Sequence, residues 1–493
     1  MTATINLLAF DLGAESGRAV LGAYDGERLQ LTELHRFGNG PVRILDSLHW
    51  DVLRLFSEMK AGLAKAASHG LSGIGVDTWG VDWALLDAAG GLVGMPYHYR
   101  DSRTDGVMEQ VFARVPRAEV FACTGIQFMQ LNTLYQLYAM AQRQPRLLAA
   151  AETLLMMPDL LNYWLTGRKV CEFTTSQMYD PIAGDWARPL LDKLDLPHHI
   201  LPPIVPPGSV LGPILPAVAE EVGCGPVPVI APASHDTGSA VVAVPAAVPD
   251  FVYISSGTWA LQGVEVRAPV INEATLQHNF TNEGGAGGTY RLLKNIVGLW
   301  LVQECRREWQ RQGVDLSYDE LTAQAAAAPA FGSLVNPDHP SFLPPGGMTA
   351  RIQGYCRATG QAVPEVRGAI VRCALESLAL RFRAAVEQLE SITGRPLGVI
   401  HIVGGGARNE LLNQFTADAT GRPVVAGPVE ATAMGNIAVQ LIGLGHLRSV
   451  QEARDLVRRS VAPKTYEPQD AAPWDESYAR FRALPVGALK VDS

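Results

Sequence analysis

Short apolar runs broken by polar turns open the chain at strand spacing, and "NLLAFDLG", "RAVLGAYDG" and "LQLTELHRF" each read as a strand. "WDVLRLFSEMKAGLAKAASHG" places its apolar residues at helical spacing, "LSGIGVDTWG" returns to a strand, and "VDWALLDAAGG" follows it. Hairpin strands followed by a helix and further strands predict an α/β domain with a mixed sheet. The stretch "LNTLYQLYAMAQRQPRLLAAAETLLMMPDLLNYWLTG" is expected to be largely helical, with Met156, Met157 and Trp164 in the core. A proline-dense connector, "LPPIVPPGSVLGPILP", then leads to the strand in "PVPVIAPASHDTGSA".

Near residue 247 the plan restarts. "FVYISSGTWALQGVEV" repeats the opening arrangement of an apolar strand, a turn of Ser255, Ser256, Gly257 and Thr258, and a returning strand, which suggests a duplicated domain. Later a long helix, "EVRGAIVRCALESLALRFRAAVEQLESITG", precedes the strand of "LGVIHIVGGGARNELLNQFTADATG", where Gly404, Gly405 and Gly406 join strand to helix. That joint suits close approach of a nucleotide to bare backbone, and equally serves as a plain turn. The expected organisation is residues 1–246, residues 247–470, and a C-terminal helix and tail over 471–493.

Composition narrows the function. The 493 residues carry 40 basic against 49 acidic side chains, net −9, which argues against a nucleic-acid or membrane-surface binder. No basic region precedes the first strand and no apolar run reaches bilayer-spanning length, so a cytoplasmic protein is expected. Six cysteines, Cys123, Cys171, Cys224, Cys305, Cys356 and Cys373, form no C-x-x-C pair, which disfavours zinc and favours reduced, structural thiols.

The chemistry concentrates in a few stretches. "FDLGAESGR" ends a strand with Asp11 and turns through small residues, either an ordinary turn or a hairpin whose N–H groups meet a phosphate chain while Asp11 serves its metal. "SHDTGSA" offers Asp236 either as a general base for a hydroxyl or as a cap of the following helix, with His235 beside it as a group that can bind a sugar oxygen. "DTWGVDW" and "PYHYRDSRT" gather Trp79, Asp82, Trp83, Tyr97, Tyr99, Arg100, Asp101 and Arg103, a mixture of aromatic faces and polar groups suited to a polyol or to a core. Neither a G-x-S-x-G elbow nor a G-x-x-x-x-G-K-[ST] loop is present, so a nucleophile-elbow hydrolase and a P-loop kinase are disfavoured.

In their order along residues 5 to 465, "FDLGAESGR", "GVDTWGVDWALLD", "YRDSRT", "SHDTGSAV", "SSGTWALQG", "TNEGGAGGTYRLLKNIVGLWLVQ", "IHIVGGGARNELLNQFTADATG" and "GPVEATAMGNIAVQL" resemble the FGGY carbohydrate kinases. The resemblance implies an α/β, duplicated actin-like (ribonuclease H-like) fold with ATP and a ketose in an interdomain cleft. It further implies magnesium and transfer of phosphate to the 1-hydroxyl of L-rhamnulose, with L-fuculose or L-xylulose as alternatives. By position Asp236 resembles the catalytic base, and Gly80, His235, Thr237 and Asn295 the sugar contacts, with Trp79 and Asp82 as neighbouring candidates. Ala14, Glu15, Ser16, Gly17, Arg18, Thr258, Gln303 and Gly405 resemble the ATP-contacting set, and Asp11 the acidic group near magnesium. Ala14 and Glu15 depart from the small hydroxyl residues usual there; a carboxylate facing phosphates repels them unless it turns away or meets a cation. A non-catalytic sugar sensor on the same fold is the alternative of a different class, and Asp236 favours the enzyme. Its partners are expected to be a ketose and ATP, without nucleic acid or membrane, acting as a monomer or homodimer.

Overall fold

β1 (Ile5–Leu12) runs antiparallel to β2 (Ser16–Tyr24), which pairs with β3 (Leu29–Gly38). The turn between β1 and β2 closes through Gly13 N to Ser16 O, 2.9 Å, and Asn39 Nδ2 ties it down by donating to Gly13 O at 2.8 Å. α1 (Val52–Ala66), capped by Asp51, follows and buries Leu55, Met59 and Leu63. β4 (Leu71–Thr78) then enters the sheet parallel to β1. The computed structural model describes residues 4–485, so residues 1–3 and the end of the expected tail, 486–493, lie outside it.

β5 (Trp83–Leu86) pairs with β6 (Thr153–Met156), a strand inside the stretch expected to be largely helical. All four residues of β6 are buried, and so short an apolar run carries no periodicity to separate strand from helix. Helix α2 (Met157–Thr166) starts directly after it, and Met156 and Met157 are core residues as expected. The proline-dense connector also supplies a strand, β7 (Val210–Pro213), at the sheet edge, the position where missing N–H donors cost least. β7 pairs antiparallel with β8 (Pro228–Ile230), which lies parallel to β4, giving the order β7-β8-β4-β1-β2-β3. α3 (Asp236–Val242) follows β8.

The second hairpin is present as expected: β9 (Phe251–Ser256) runs antiparallel to β10 (Trp259–Val266). β9 pairs in parallel with β11 (Val399–Val403), β11 in parallel with β12 (Val424–Ala426), and β12 antiparallel with β13 (Lys464–Tyr466). Hairpin, two parallel strands and an antiparallel edge strand is the same sequence of pairings as in the first sheet. The duplication suggested by two turn motifs is therefore a duplication of strand plan.

The chain divides into two compact units. One comprises the chain up to Pro245 with Glu265–Leu293 and Ala431–Val461; the other comprises Ala246–Val264, Lys294–Glu430 and the chain from Ala462. Among the described residues no helix is long and apolar enough to cross a membrane. All six cysteines are free, and the interaction between the thiols of Cys356 and Cys373 holds Cys356 below and Cys373 well above the ordinary thiol range.

Within the first unit the helix Ala431–Gly443 lies against α3, β1 and β4. Its approach is set by Gly435, where an added Cβ would stand 1.8 Å from Ser239 O of α3. Gln440 of the same helix donates to Leu8 O at 3.1 Å. Gly435→Ala is therefore expected to force the two helices apart and to cost about 1–3 kcal/mol in urea unfolding; an unchanged midpoint would contradict this packing.

Candidate active site

Register brings two of the acids together. Asp11 on β1 stands opposite Arg18 on β2 and beside Asp77 on β4, and Asp11 and Arg18 form an ion pair. Asp77 is fully buried and accepts from Asn436 Nδ2 at 2.6 Å. Burial first, then the charge of Asp11, with a smaller contribution from Asp236, push its carboxyl well above the usual range despite the Asn436 bond. Its Oδ1 has no partner. Asp77 was not singled out from the sequence, although "GIGVDT" repeats the apolar run ending in Asp seen in "LLAFDL".

These groups fit magnesium. Mg²⁺ is held in phosphoryl-transfer sites by one or two carboxylates plus phosphate oxygens and water. An orphaned oxygen on Asp77 beside Asp11 supplies that kind of donor set. Among the described residues no three acidic, histidine or cysteine side chains form a ready-made cage.

Asp236 is the first residue of α3, and the cap position before it belongs to His235, whose side chain makes no capping bond. Its Oδ1 accepts from Thr237 N at 2.5 Å and lies 3.5 Å from His235 Nε2, while Oδ2 has no partner within the described chain. The side chain is 31% exposed, enough to meet a ligand. The backbone before it is held on both sides. Ser234 O accepts from Thr78 N at 2.9 Å, and Ser234 N donates to buried Glu172 Oε2 at 2.8 Å. Glu172 also accepts from Thr174 N and from the Thr174 hydroxyl, which in turn accepts from His235 N at 3.0 Å. Burial, only partly offset by these bonds, pushes Glu172 up to about 7.

Gly80 and His235 meet: a Cβ on Gly80 would lie 2.9 Å from His235 Nε2, so the imidazole occupies the space a side chain would need. Trp79 is buried, donates from Nε1 to Asp82 Oδ2 at 3.0 Å, and has its ring 3.9 Å from that of Trp50. Asp82 is itself 1% exposed. Its Oδ2 also accepts from Trp50 Nε1 (2.6 Å) and Tyr99 N (3.1 Å), and its Oδ1 from Gln136 Nε2 (2.8 Å). The carboxylate is thus occupied by the chain, and what it does is hold Trp79 and Trp50 in place. The hairpin residues Ala14 to Arg18 divide by role: Glu15 at the tip is exposed, whereas Gly17 packs where a Cβ would strike Phe37 and Leu12.

In the second unit the turn of β9 and β10 rests on the start of α4 (Trp300–Arg311). Thr258 O accepts from Gly298 N and Trp300 N, each at 3.2 Å, and Gly257 O accepts from Leu299 N at 3.0 Å. Gln303 lies one turn into α4, so Thr258 and Gln303 share this corner. The glycine triplet after β11 reaches the same hairpin. Gly404 has φ +83°, and a Cβ on Gly406 would lie 2.0 Å from Ser256 Oγ, but a Cβ on Gly405 would meet nothing within 4 Å. Asn295 is half-buried on the strand Tyr290–Val297.

Residues 6–243 match the FGGY family of carbohydrate kinases, N-terminal domain, and residues 252–444 its C-terminal domain. The chain belongs to that family and is a carbohydrate kinase. It is 47% identical over 97% of its length to a rhamnulokinase of Bacteroides thetaiotaomicron, 99% of which is covered. It is likewise 42% identical over 94% of its length to a rhamnulokinase of Halalkalibacterium halodurans, 99% of which is covered. Among solved structures, gluconate kinase from Lactobacillus acidophilus aligns over 97% of both chains with TM-score 0.81 at 16% identity. Xylulose kinase from Rhodospirillum rubrum aligns over 97% of this chain and 98% of its own with TM-score 0.78 at 21% identity. The expected actin-like, two-domain α/β fold is the fold observed.

Burial first, opposed by the hydrogen bonds from Gln136, Trp50 and Trp79 and by the charge of Arg103, raises Asp82 to about 6 from an ordinary value of 3.8. The folded chain therefore holds this proton more tightly than the unfolded chain, and stability falls as pH rises from about 4 to about 6. The full effect is about 3 kcal/mol. Relative to the parent, Asp82→Asn is expected to gain stability by an amount of that order between pH 4 and pH 7 in urea titrations, and a pH-independent difference would contradict the assignment.

Proposed function

We propose that the protein transfers the γ-phosphate of ATP to the 1-hydroxyl of L-rhamnulose, with Asp236 as the base. The observation that carries the mechanism is the Asp236 carboxylate itself: one oxygen is held by Thr237, the other has no partner within the described chain, and the side chain is partly exposed. The substrate is argued from the full-length relatives, which bear the name rhamnulokinase.

In this reading residues 1–246 carry the base and most sugar-side groups, and residues 247–470 carry most nucleotide-side groups. Gly80, His235, Thr237 and Asn295 contact the sugar, Trp79 lends an aromatic face, and Asp82 acts through Trp79 as a positioning residue. The hairpin from Ala14 to Arg18 takes the phosphate chain, and Thr258, Gln303 and Gly405 take the rest of the nucleotide. Asp11 and Asp77 would hold magnesium, which when bound neutralises charge on the phosphates. As the sugar oxygen bonds to the γ-phosphorus, its proton passes to Asp236 Oδ2. The bond from that phosphorus to the β-phosphate oxygen breaks, and ADP leaves with the electron pair.

With magnesium and ATP, a panel of ketoses is expected to give its highest kcat/KM on L-rhamnulose. Asp236→Asn should lower kcat by at least roughly a hundredfold while calorimetric sugar binding changes far less. Better turnover of L-fuculose or L-xylulose would replace the named substrate, and a variant kcat within a few-fold of the parent would remove Asp236 as the base.

Gly405→Val separates ligand contact from folding, because the added side chain enters open space in the protein. The expected result is an unchanged melting temperature without ligand, with loss of the stabilisation conferred by ATP. A lower melting temperature with ATP stabilisation intact would assign the glycine to the turn alone.

A further inference from the structure

His235 is gripped from behind by a buried ion pair that none of the roles above uses. Arg291 is fully buried, with its Nε donating to Gly284 O at 2.8 Å. Its Nη2 carries two protons and has two well-placed acceptors: Thr174 O at 3.4 Å and His235 Nδ1 at 3.2 Å. Glu283 Oε2 stands 3.0 Å from Nη2 and 3.3 Å from His235 Nδ1, yet makes no hydrogen bond of acceptable geometry. Burial alone would raise the Glu283 carboxyl, but the Arg291 charge beside it is the largest opposing influence and the carboxyl is held below the usual range, so it remains an anion balancing the guanidinium.

A guanidinium has donors only. If Nδ1 accepts from Arg291, the ring proton must sit on Nε2, the nitrogen that faces Gly80 and Asp236. Were the proton on Nδ1 instead, it would point at Glu283 and leave Nε2 as an acceptor. The two arrangements present opposite chemistry to a ligand. The Nε2–H form donates to a sugar oxygen, whereas the other form can only receive a hydroxyl proton.

We propose that Arg291 is a positioning residue that fixes His235 as the Nε2–H tautomer, so that the imidazole donates a hydrogen bond to the sugar. The proposal rests on the reading of His235 as a sugar contact. Its structural half is tested without any sugar.

In the full-length protein labelled with ¹⁵N-histidine, long-range ¹H–¹⁵N spectra distinguish the two tautomers, and His235→Gln assigns the signal. The parent is expected to carry the proton on Nε2. Arg291→Met, which keeps a long apolar chain but no donor, should shift the population towards Nδ1–H and raise the KM for the sugar roughly three- to tenfold with the KM for ATP unchanged. Arg291→Lys, which restores a donor, should recover most of both effects. A parent already protonated on Nδ1 overturns the proposal, and that measurement needs no variant to fold. An Arg291→Met protein with lowered melting temperature but unaltered tautomer and sugar KM also overturns it. A His235→Gln enzyme with unchanged sugar KM instead overturns the sugar-contact reading, while the tautomer spectra still decide the role of Arg291.

Discussion

Parallel pairing of β1 with β4 sets Asp11 beside Asp77 at the ends of two buried strands, and the charge of Asp236 also reaches Asp77. Carboxylates gathered away from water repel one another and lose solvation, so such a cluster persists only with compensation. Arg18 supplies it for Asp11 and Asn436 for one oxygen of Asp77. The remaining oxygen of Asp77 is buried without a hydrogen-bond partner. In the proposed reading, a cation brought in with a phosphate chain would relieve this crowding, which is how an acid-rich protein could accept an anionic nucleotide there.

Asp236, the proposed base, is held through its neighbours by groups outside the proposed reaction. Glu172 binds the Ser234 amide and the Thr174 hydroxyl, Thr174 binds the His235 amide, and Thr78 binds the Ser234 carbonyl. Gly435 lets the helix Ala431–Gly443 press its backbone onto α3, whose first residue is Asp236. Each of these contacts restricts the backbone that aims a short carboxylate, and misplacement of a reacting group by even about 1 Å can cost a hundredfold in rate.

The two sheets place this plan to different use. In the first, the hairpin and the two parallel strands end in acids and in the loop leading to Asp236. In the second, the corresponding hairpin turn and the strand beside it end in small residues: Gly257, Thr258 and the triplet Gly404–Gly406. One copy ends in carboxylates, and the other ends in small residues with bare backbone. The two glycines flanking Gly405 are needed by the fold, whereas a Cβ on the middle one would meet nothing within 4 Å.

Much of the fold is legible in the chain because strand alternation and turn chemistry are local. The two hairpins, α1, the long helix and the glycine joint are all where the pattern places them. Locality also explains what was missed. Thr153–Met156 is too short and too uniformly apolar to declare itself a strand, and Val210–Pro213 is masked by prolines that an edge strand tolerates. The sequence by itself determined the family, the duplicated plan and the acids and glycines worth naming, since these follow from residue type and order. Only the tertiary structure decided their company: that Asp77 joins Asp11 by register, that Asp82 spends its lone pairs on two tryptophans and a glutamine, and that Arg291 reaches His235. Apart from Trp79 with Asp82, these pairings join residues tens of positions apart, and no local preference of the chain encodes which buried donor will meet which acceptor.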